Sequence, residues 1–131
     1  MRIPKQTDYK LIVLLSLAEA GEVSVPLRQI ATRYDLPLPF LRAIASQLVH
    51  QGLISSQEGA SGGYRLAKPS AEISLADVLM GETGLLEALP CRITSTVCQR
   101  QGDCIAEASW EKLEAKVGDI LRAIPLSEVA A

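Results

Sequence analysis

Residues 53–69 read LISSQEGASGGYRLAKP, in which the short segments LISSQ and YRLA flank a glycine-rich run. Both segments alternate apolar and polar residues, a pattern typical of β-strands, and glycines between two strands favour a turn. The stretch therefore predicts a β-hairpin with a glycine-rich tip.

Three helices are predicted ahead of this hairpin, because apolar residues recur there at helical spacing between residues that start or stop a helix. Their expected limits are Thr7 to Gly21, Pro26 to Asp35 and Pro39 to Gln51. Their apolar faces are expected to be Leu11, Leu14, Leu15 and Ala18 in the first, Leu27, Ile30 and Ala31 in the second, and Phe40, Leu41, Ile44 and Leu48 in the third. Helices followed by a glycine-rich hairpin indicate a winged helix-turn-helix, a mainly α fold with a small β-hairpin.

Two further helices are predicted after the hairpin. Ser74 followed by Asp77 is a variant of the capping box and indicates a short fourth helix. The last helix carries apolar residues at intervals of three and four positions, a heptad seam that predicts a homodimer interface. This seam consists of Trp110, Leu113, Val117, Ile120 and Ile124. The expected domains are a winged helix-turn-helix at 1–80, a cysteine-bearing loop at 81–105 and a dimerisation helix with its tail at 106–131.

The charges are unevenly distributed along the chain. Residues 1–70 carry eight basic and five acidic side chains, a net charge of +3, whereas residues 71–131 carry five basic and ten acidic side chains, a net charge of −5. A basic N-terminal half is suited to phosphate, and the third helix of this fold fits the major groove of DNA. We expect Arg42, Ser46 and Gln47 to face base edges, and Arg28, Arg65 and Lys68 to hold phosphates of double-stranded operator DNA.

Length and composition argue against other classes of protein. The 131 residues, 48% of them hydrophobic, fit one domain with a single additional arm, and no run approaches the roughly 20 apolar residues of a membrane span. A soluble, cytoplasmic protein without a membrane partner is expected.

The single histidine, His50, has no evident nucleophile partner, and no phosphate loop is present, so neither an enzyme nor a small-molecule substrate is expected. A winged-helix adaptor that binds a protein instead of DNA is an alternative, favoured by the low net charge and Glu58.

Three cysteines, Cys91, Cys98 and Cys104, are clustered ahead of the last helix. Zinc modules use cysteines in close pairs, which this chain lacks, and its only histidine lies on the third helix. Three soft ligands without a local fourth suit an iron–sulfur cluster completed by a carboxylate or by another subunit. A thiol redox switch without a cluster is the alternative.

Three features together resemble the Rrf2 family of bacterial transcription regulators over nearly the whole chain. They are MRIPKQTDYKL at residues 1–11, EGASGGYRLAKP at residues 58–69, and the spaced cysteines ahead of a helix that contains Trp110. The cysteines place the resemblance in the branch of the family that binds an iron–sulfur cluster. It implies a homodimer that binds operator DNA through the winged helix, dimerises through the long C-terminal helix and responds to a 2Fe–2S or 4Fe–4S cluster. We expect a repressor of iron–sulfur assembly or stress genes.

Carried over residue by residue, the resemblance assigns Cys91, Cys98 and Cys104 as the thiolate ligands. Some members complete the site with a histidine three residues beyond the last cysteine, where this chain has Glu107. Others use an aspartate in the first helix of the partner subunit, where this chain has Asp8. We expect Asp8 to act in trans, with Glu107 as the alternative. Each acid could instead complement the dipole at the start of a helix.

The β-hairpin, which is the wing of the predicted winged helix, departs from the family pattern at one point. Many members carry an arginine before the first glycine of the hairpin, whereas this chain has Gln57 and Glu58. An acid at this place repels phosphate, so weaker contact of the wing tip with DNA is expected. Arg65 and Lys68, on the other side of the hairpin, are expected to compensate.

Overall fold

The computed structural model describes residues 3–80, 98–100 and 102–130. The elements in chain order are α1 (Lys5–Ala20), α2 (Leu27–Tyr34), α3 (Leu38–His50), β1 (Ile54–Gln57), β2 (Gly63–Leu66), a 3₁₀ turn (Ser70–Glu72), α4 (Leu75–Leu79), α5 (Ile105–Arg122) and α6 (Leu126–Val129). They fall into two compact units, the first within Met1–Ile73 and Pro125–Ala131 and the second within Ser74–Ile124. The predicted mainly α fold with a β-hairpin is confirmed.

Aliphatic side chains from α1, α2, α3, β1 and the C-terminal segment form the core of the first unit. Helix α1 packs on α3 and β2, α2 packs on α3, and α3 packs on β1. The fully or almost fully buried side chains are Val13, Leu14, Leu17, Ile30, Leu41, Ile44, Ala45, Leu48, Leu53, Ile54, Ile73 and Leu126. Because α3 lies between α1, α2 and the hairpin, its outward face is set by the side that it buries.

The hairpin is antiparallel, with Ile54 opposite Leu66 and Gln57 opposite Gly63. It also joins the segment between α1 and α2, because Val25 and Tyr64 exchange two backbone hydrogen bonds of 2.8 and 2.9 Å. A Cβ atom at Gly63 would lie 2.5 Å from the carbonyl carbon of Val25, closer than any side chain tolerates. The second glycine of the GGY sequence is therefore required by this backbone contact.

Two predictions about α1 are wrong. The helix begins at Lys5 after Pro4, so Thr7 lies within its first turn and is not the cap. Its buried residues are Val13, Leu14, Ser16 and Leu17, whereas Leu11, Leu15 and Ala18 are only half-buried. Since α1 packs against both α3 and β2, its buried face is turned from the one that leucine spacing indicates. Ser16 tolerates burial because its hydroxyl donates a hydrogen bond to the carbonyl of Ile12 at 2.7 Å.

Helices α2 and α3 follow the prediction closely, with one exception. Leu27, Ile30 and Ala31 are buried on α2, and Asp35 ends that helix in the left-handed conformation with φ of 52°. Helix α3 begins one residue earlier than predicted and buries Leu41, Ile44, Ala45 and Leu48. Phe40, predicted to face inward, is 62% exposed. The reason is geometric, because Phe40 lies at the border of the buried face, about 90° around the helix from its centre, and Ala45 takes the fourth buried position.

The second unit contains α4 and α5. Ser74 and Asp77 form the predicted capping box, in which the Asp77 amide donates to Ser74 Oγ at 3.3 Å and the Ser74 amide donates to Asp77 Oδ2 at 2.8 Å. Helix α5 packs on α4 at Gly118, where an added Cβ would lie 3.1 Å from Met80 Cε. Helix α5 ends at Arg122, so Ile124, the last residue of the predicted seam, lies outside it.

The C-terminal residues return to the first unit, which the sequence did not indicate. Leu126 is fully buried, and its amide donates a hydrogen bond to the carbonyl of Ile73 at 2.6 Å. The predicted boundaries of the three functional domains, at residues 80 and 105, remain a prediction. They depend on the function of each part, and residues 81–97 lie outside the described part of the chain. No helix within the described ranges is long and apolar enough to span a membrane.

Replacing Gly63 by alanine should destabilise the protein through the collision with Val25. We expect Gly63→Ala to lower the free energy of unfolding by about 3 kcal/mol, because the hairpin must shift to admit the methyl group. Gly59→Ala is the matched control: its φ of 102° is also unusual, but its Cβ would meet no atom within 4 Å. That variant should lose only about 1 kcal/mol. Equal losses in urea unfolding of the two variants would contradict the proposed role of the Val25 contact.

Candidate nucleic-acid interface and cysteine segment

The outward face of α3 is the centre of the candidate interface. The buried residues of this helix occupy one side, which leaves the opposite side to solvent. The exposed side chains there are Pro39, Phe40, Arg42, Ala43, Ser46, Gln47, Val49 and His50. Arg42, Ser46 and Gln47, which the sequence assigns to base edges, all lie on this face. Within the described ranges Arg42 forms no ion pair, so its guanidinium is available to a ligand.

The two arginines of α2 have different surroundings. Arg33 Nη1 lies 3.0 Å from Glu19 Oε2 of α1, and its guanidinium carbon lies 5.1 Å from the centre of the Tyr34 ring. Arg28 is exposed in the first turn of α2 and has no ion pair among the residues that the structure describes. Arg33 therefore links two helices, whereas Arg28 remains the candidate for a phosphate contact.

Arg65 and Lys68 lie at the base of the hairpin. With the end of α1 they line an open cleft of 430 Å³, whose walls also include Gly21, Glu22, Ser55 and Ser70. Arg65 Nη1 is 3.9 Å from Glu22 Oε2, and the Glu22 side chain is 99% exposed. An exposed pair at that distance contributes little free energy, so it leaves Arg65 able to bind a phosphate. Glu58 is exposed at the opposite end of the hairpin, directly after β1.

Two of the three cysteines lie in the described part of the second unit, and Cys91 lies outside it. Cys98 and Cys104 are half-buried free thiols. Cys104 is the residue that precedes the first turn of α5, and its carbonyl accepts a hydrogen bond of 3.1 Å from the amide of Glu107. Glu107 thus lies one helical turn from Cys104, on the same helix end. Among the described residues, which include only two cysteines, no three Cys, His, Asp or Glu side chains converge on one point.

The other carboxylate considered as a ligand belongs to the first unit. Asp8 is exposed in the first turn of α1, where an acid complements the helix dipole. Its carboxylate has no hydrogen-bond or ion-pair partner within the described ranges. The position of Asp8 is therefore compatible both with an acid that complements the helix dipole and with a ligand of the cluster.

Helix α5 exposes an apolar stripe on its surface. Trp110, Leu113 and Ile120 are exposed members of the predicted seam, and Val117 is half-buried. Ile105, at the start of the helix and directly after Cys104, is 96% exposed. Ile105 falls ahead of the regular spacing of the seam, so periodicity does not identify it. Contiguous apolar side chains on a helix surface are typical of a protein interface.

The fold and the solvent-exposed face of α3 define a winged-helix DNA-binding protein. The chain belongs to the Rrf2 family: the family profile, described as an iron-dependent transcriptional regulator, matches residues 3–131. This chain is 32% identical to the transcriptional regulator IscR of Photorhabdus laumondii, and the match covers 98% of this chain and 79% of that protein. The protein is thus a DNA-binding transcription regulator and not an enzyme, in agreement with the sequence-based expectation.

Solved structures show the same fold. The structure of T. potens IscR matches with a TM-score of 0.74 and 27% identity, over 98% of this chain and 85% of that one. The oxidised form of Staphylococcus aureus CymR matches with a TM-score of 0.71 and 27% identity, over 99% of this chain and 96% of that one. The predicted winged helix is confirmed by these neighbours, whereas the roles of individual residues remain predictions.

Arg42→Ala should weaken binding to a selected DNA site without destabilising the fold. Because Arg42 is exposed on α3, we expect its loss to cost about 1–3 kcal/mol of binding free energy and to relax the preference at one base pair. The duplex would be selected from a random pool by the unmodified protein and tested with its single-base variants by fluorescence anisotropy. Arg122→Ala removes the same charge from α5 and is the control. An unchanged base preference at every position would contradict the assignment.

Glu58→Gln should strengthen DNA binding, because it removes a negative charge from the wing tip. We expect a gain of a few-fold at low salt that shrinks toward physiological ionic strength, as charges in solvent become screened. Glu128→Gln removes an exposed acid from α6 and serves as the matched control. If the two variants bind DNA equally well across the salt series, the wing tip does not approach the phosphates.

Proposed function

We propose that the protein is a homodimeric repressor whose binding to operator DNA is controlled by an iron–sulfur cluster. The observation that carries this proposal is the pair of free, half-buried thiols at Cys98 and Cys104, of which Cys104 directly precedes α5. The family is described as iron-dependent, and IscR proteins are among the relatives, which supports the same function. Iron–sulfur assembly or stress genes are the proposed targets, and the cytoplasm the proposed location.

The donor set fits such a cluster. Cys91, Cys98 and Cys104 would be the thiolate ligands, and thiolates are the ordinary ligands of 2Fe–2S and 4Fe–4S clusters. Asp8, supplied by the second copy of the chain, is the proposed fourth ligand, because its exposed carboxylate has no partner within the described ranges. Glu107 is the alternative, one helical turn from Cys104. When bound, the cluster supplies iron–ligand bonds that respond to iron supply and to redox stress.

The chain's own residues suggest how ligation affects DNA binding. Cys104 precedes the first turn of α5, so holding its thiol fixes the start of the helix that carries the apolar stripe. Asp8 lies at the start of α1, which packs on α3. An Asp8 bound to the cysteine segment of the second copy would hold α1, and with it α3, in one orientation. Cluster ligation would then shift the population of dimers toward one spacing between their two α3 helices.

The homodimer is proposed to form through the apolar stripe of α5. Two helices that pair through Trp110, Leu113, Val117 and Ile120 would remove these side chains from water. Two copies would also present two α3 helices to two half-sites of one operator. Operator DNA and a second copy of the chain are therefore the proposed partners, without a small-molecule substrate.

A thiol switch without a cluster is the second candidate. The related CymR has been solved in an oxidised form, and the described cysteines of this chain are free thiols. In such a switch two thiols lose two protons and two electrons to form a disulfide, while a peroxide accepts them and is reduced to water. The same segment ahead of α5 would change its conformation, but iron would not be involved.

Protein purified without oxygen distinguishes the two candidates. We expect the unmodified protein to absorb visible light and to contain iron and sulfide, and Cys98→Ala to lose both because a thiolate ligand is missing. Asp8→Ala should release iron several-fold faster than the unmodified protein when it is challenged with a chelator. Glu107→Ala and the control Glu111→Ala should behave like the unmodified protein.

The DNA affinity of each preparation completes this test. Removal of the cluster should change the affinity for the selected duplex, and Cys98→Ala should no longer respond. A colourless protein that takes up no iron on reconstitution, yet changes its DNA affinity with peroxide, would replace the cluster with the thiol switch. Faster iron release from Glu107→Ala than from Asp8→Ala would move the fourth ligand to Glu107.

A further inference from the structure

We infer that Phe40 reads thymine, through contact of its ring with the C5-methyl group in the major groove. This inference rests on the proposed role of α3 as the DNA-reading helix, and it adds a determinant of sequence preference that sequence analysis placed in the core. Phe40 is 62% exposed, although it is the largest apolar side chain of the helix.

The position of Phe40 on the helix supports this role. It is the third residue of α3, and residues near the start of a recognition helix reach base edges. Its amide is engaged in the first turn of the helix, donating to the Pro37 carbonyl at 3.1 Å, which fixes the direction of the side chain's Cα–Cβ bond.

Phe40 also belongs to a longer surface and is not an isolated apolar residue. Gln47 lies seven positions further along α3, on nearly the same line of the helix, and Ala43 lies between them. Pro39 is exposed beside Phe40. The apolar half of the face therefore lies toward the start of the helix, and polar side chains dominate the half that contains Ser46, Gln47 and His50.

The chemistry of the major groove matches this division. Thymine is the base that presents a methyl group there, and phenylalanine and alanine are side chains that contact it, whereas glutamine binds adenine. Ala43 beside Gln47 thus suits an A·T pair, and Phe40, about 10 Å from Gln47 toward the start of the helix, suits a thymine of its own. Arg42, on the other edge of the face, suits guanine. The arrangement predicts a half-site in which thymine and guanine occupy separate positions.

Replacement of thymine by uracil in the DNA tests this inference directly, because uracil differs only by the absent methyl group. Each thymine of the selected duplex would be replaced in turn by deoxyuridine. At one thymine of a half-site we expect the unmodified protein to bind about fourfold more weakly, the factor that corresponds to one buried methyl group. Phe40→Ala should bind the thymine and uracil duplexes equally. Val23→Ala, which truncates an exposed apolar residue outside α3, should retain the discrimination.

The possible outcomes separate this inference from the proposed function. The role of Phe40 is refuted if no thymine shows an effect, if Phe40→Ala still discriminates thymine from uracil, or if the selected half-site has no thymine. DNA reading by α3 stands in each of these cases as long as Arg42→Ala shifts the base preference. If neither variant changes any base preference, the assignment of α3 fails as well. Because Phe40 is largely exposed, urea unfolding of Phe40→Ala should match that of the unmodified protein, which excludes misfolding as the cause.

Discussion

The close approach of β2 to the backbone of Val25 is the constraint on which the DNA-binding unit depends. The two hydrogen bonds between Val25 and Tyr64 attach the hairpin to the segment that connects α1 and α2. Only glycine at position 63 allows the two backbones to come this close. Without this attachment the hairpin would be held by its packing on α1 and α3 alone, and its base would no longer be joined to the segment that precedes α2. A backbone contact thus determines where the charges of the wing lie.

The buried side of α3 determines its outward side in a similar way. Leu41, Ile44, Ala45 and Leu48 fill the space between α1, α2 and the hairpin, so the remaining positions must face solvent. Arg42, Ser46 and Gln47 reach that face because of their spacing from the buried residues, and within the described part of the chain no side-chain hydrogen bond or ion pair holds them there. The packing of the core therefore orients the residues that are proposed to read DNA.

The sequence predicts the elements better than it predicts their faces. Local signals were sufficient for the order of α1 to α5, the hairpin, the end of α2 at Asp35 and the capping box of Ser74 and Asp77. The errors at Phe40 and in the buried face of α1 have one cause, which is that residues at the border of an apolar face are buried or exposed according to the neighbouring elements. The return of Leu126 to Ile73 depends on a contact between distant parts of the chain, which periodicity does not encode. For the same reason, spacing places the cysteines near one another along the chain but does not identify the fourth ligand.

The cluster and the thiol switch make the same demand on the described cysteines, since both act on sulfur at the start of α5. They differ in the atom to which the cysteine sulfur is bonded, which is a second sulfur in the switch and an iron in the cluster. A disulfide between cysteines would involve only the segment that contains them. A ligand from Asp8 would connect that segment directly to α1 and therefore to α3, on which α1 packs. The carboxylate at position 8 is consequently the residue at which the two mechanisms require different chemistry from the same fold.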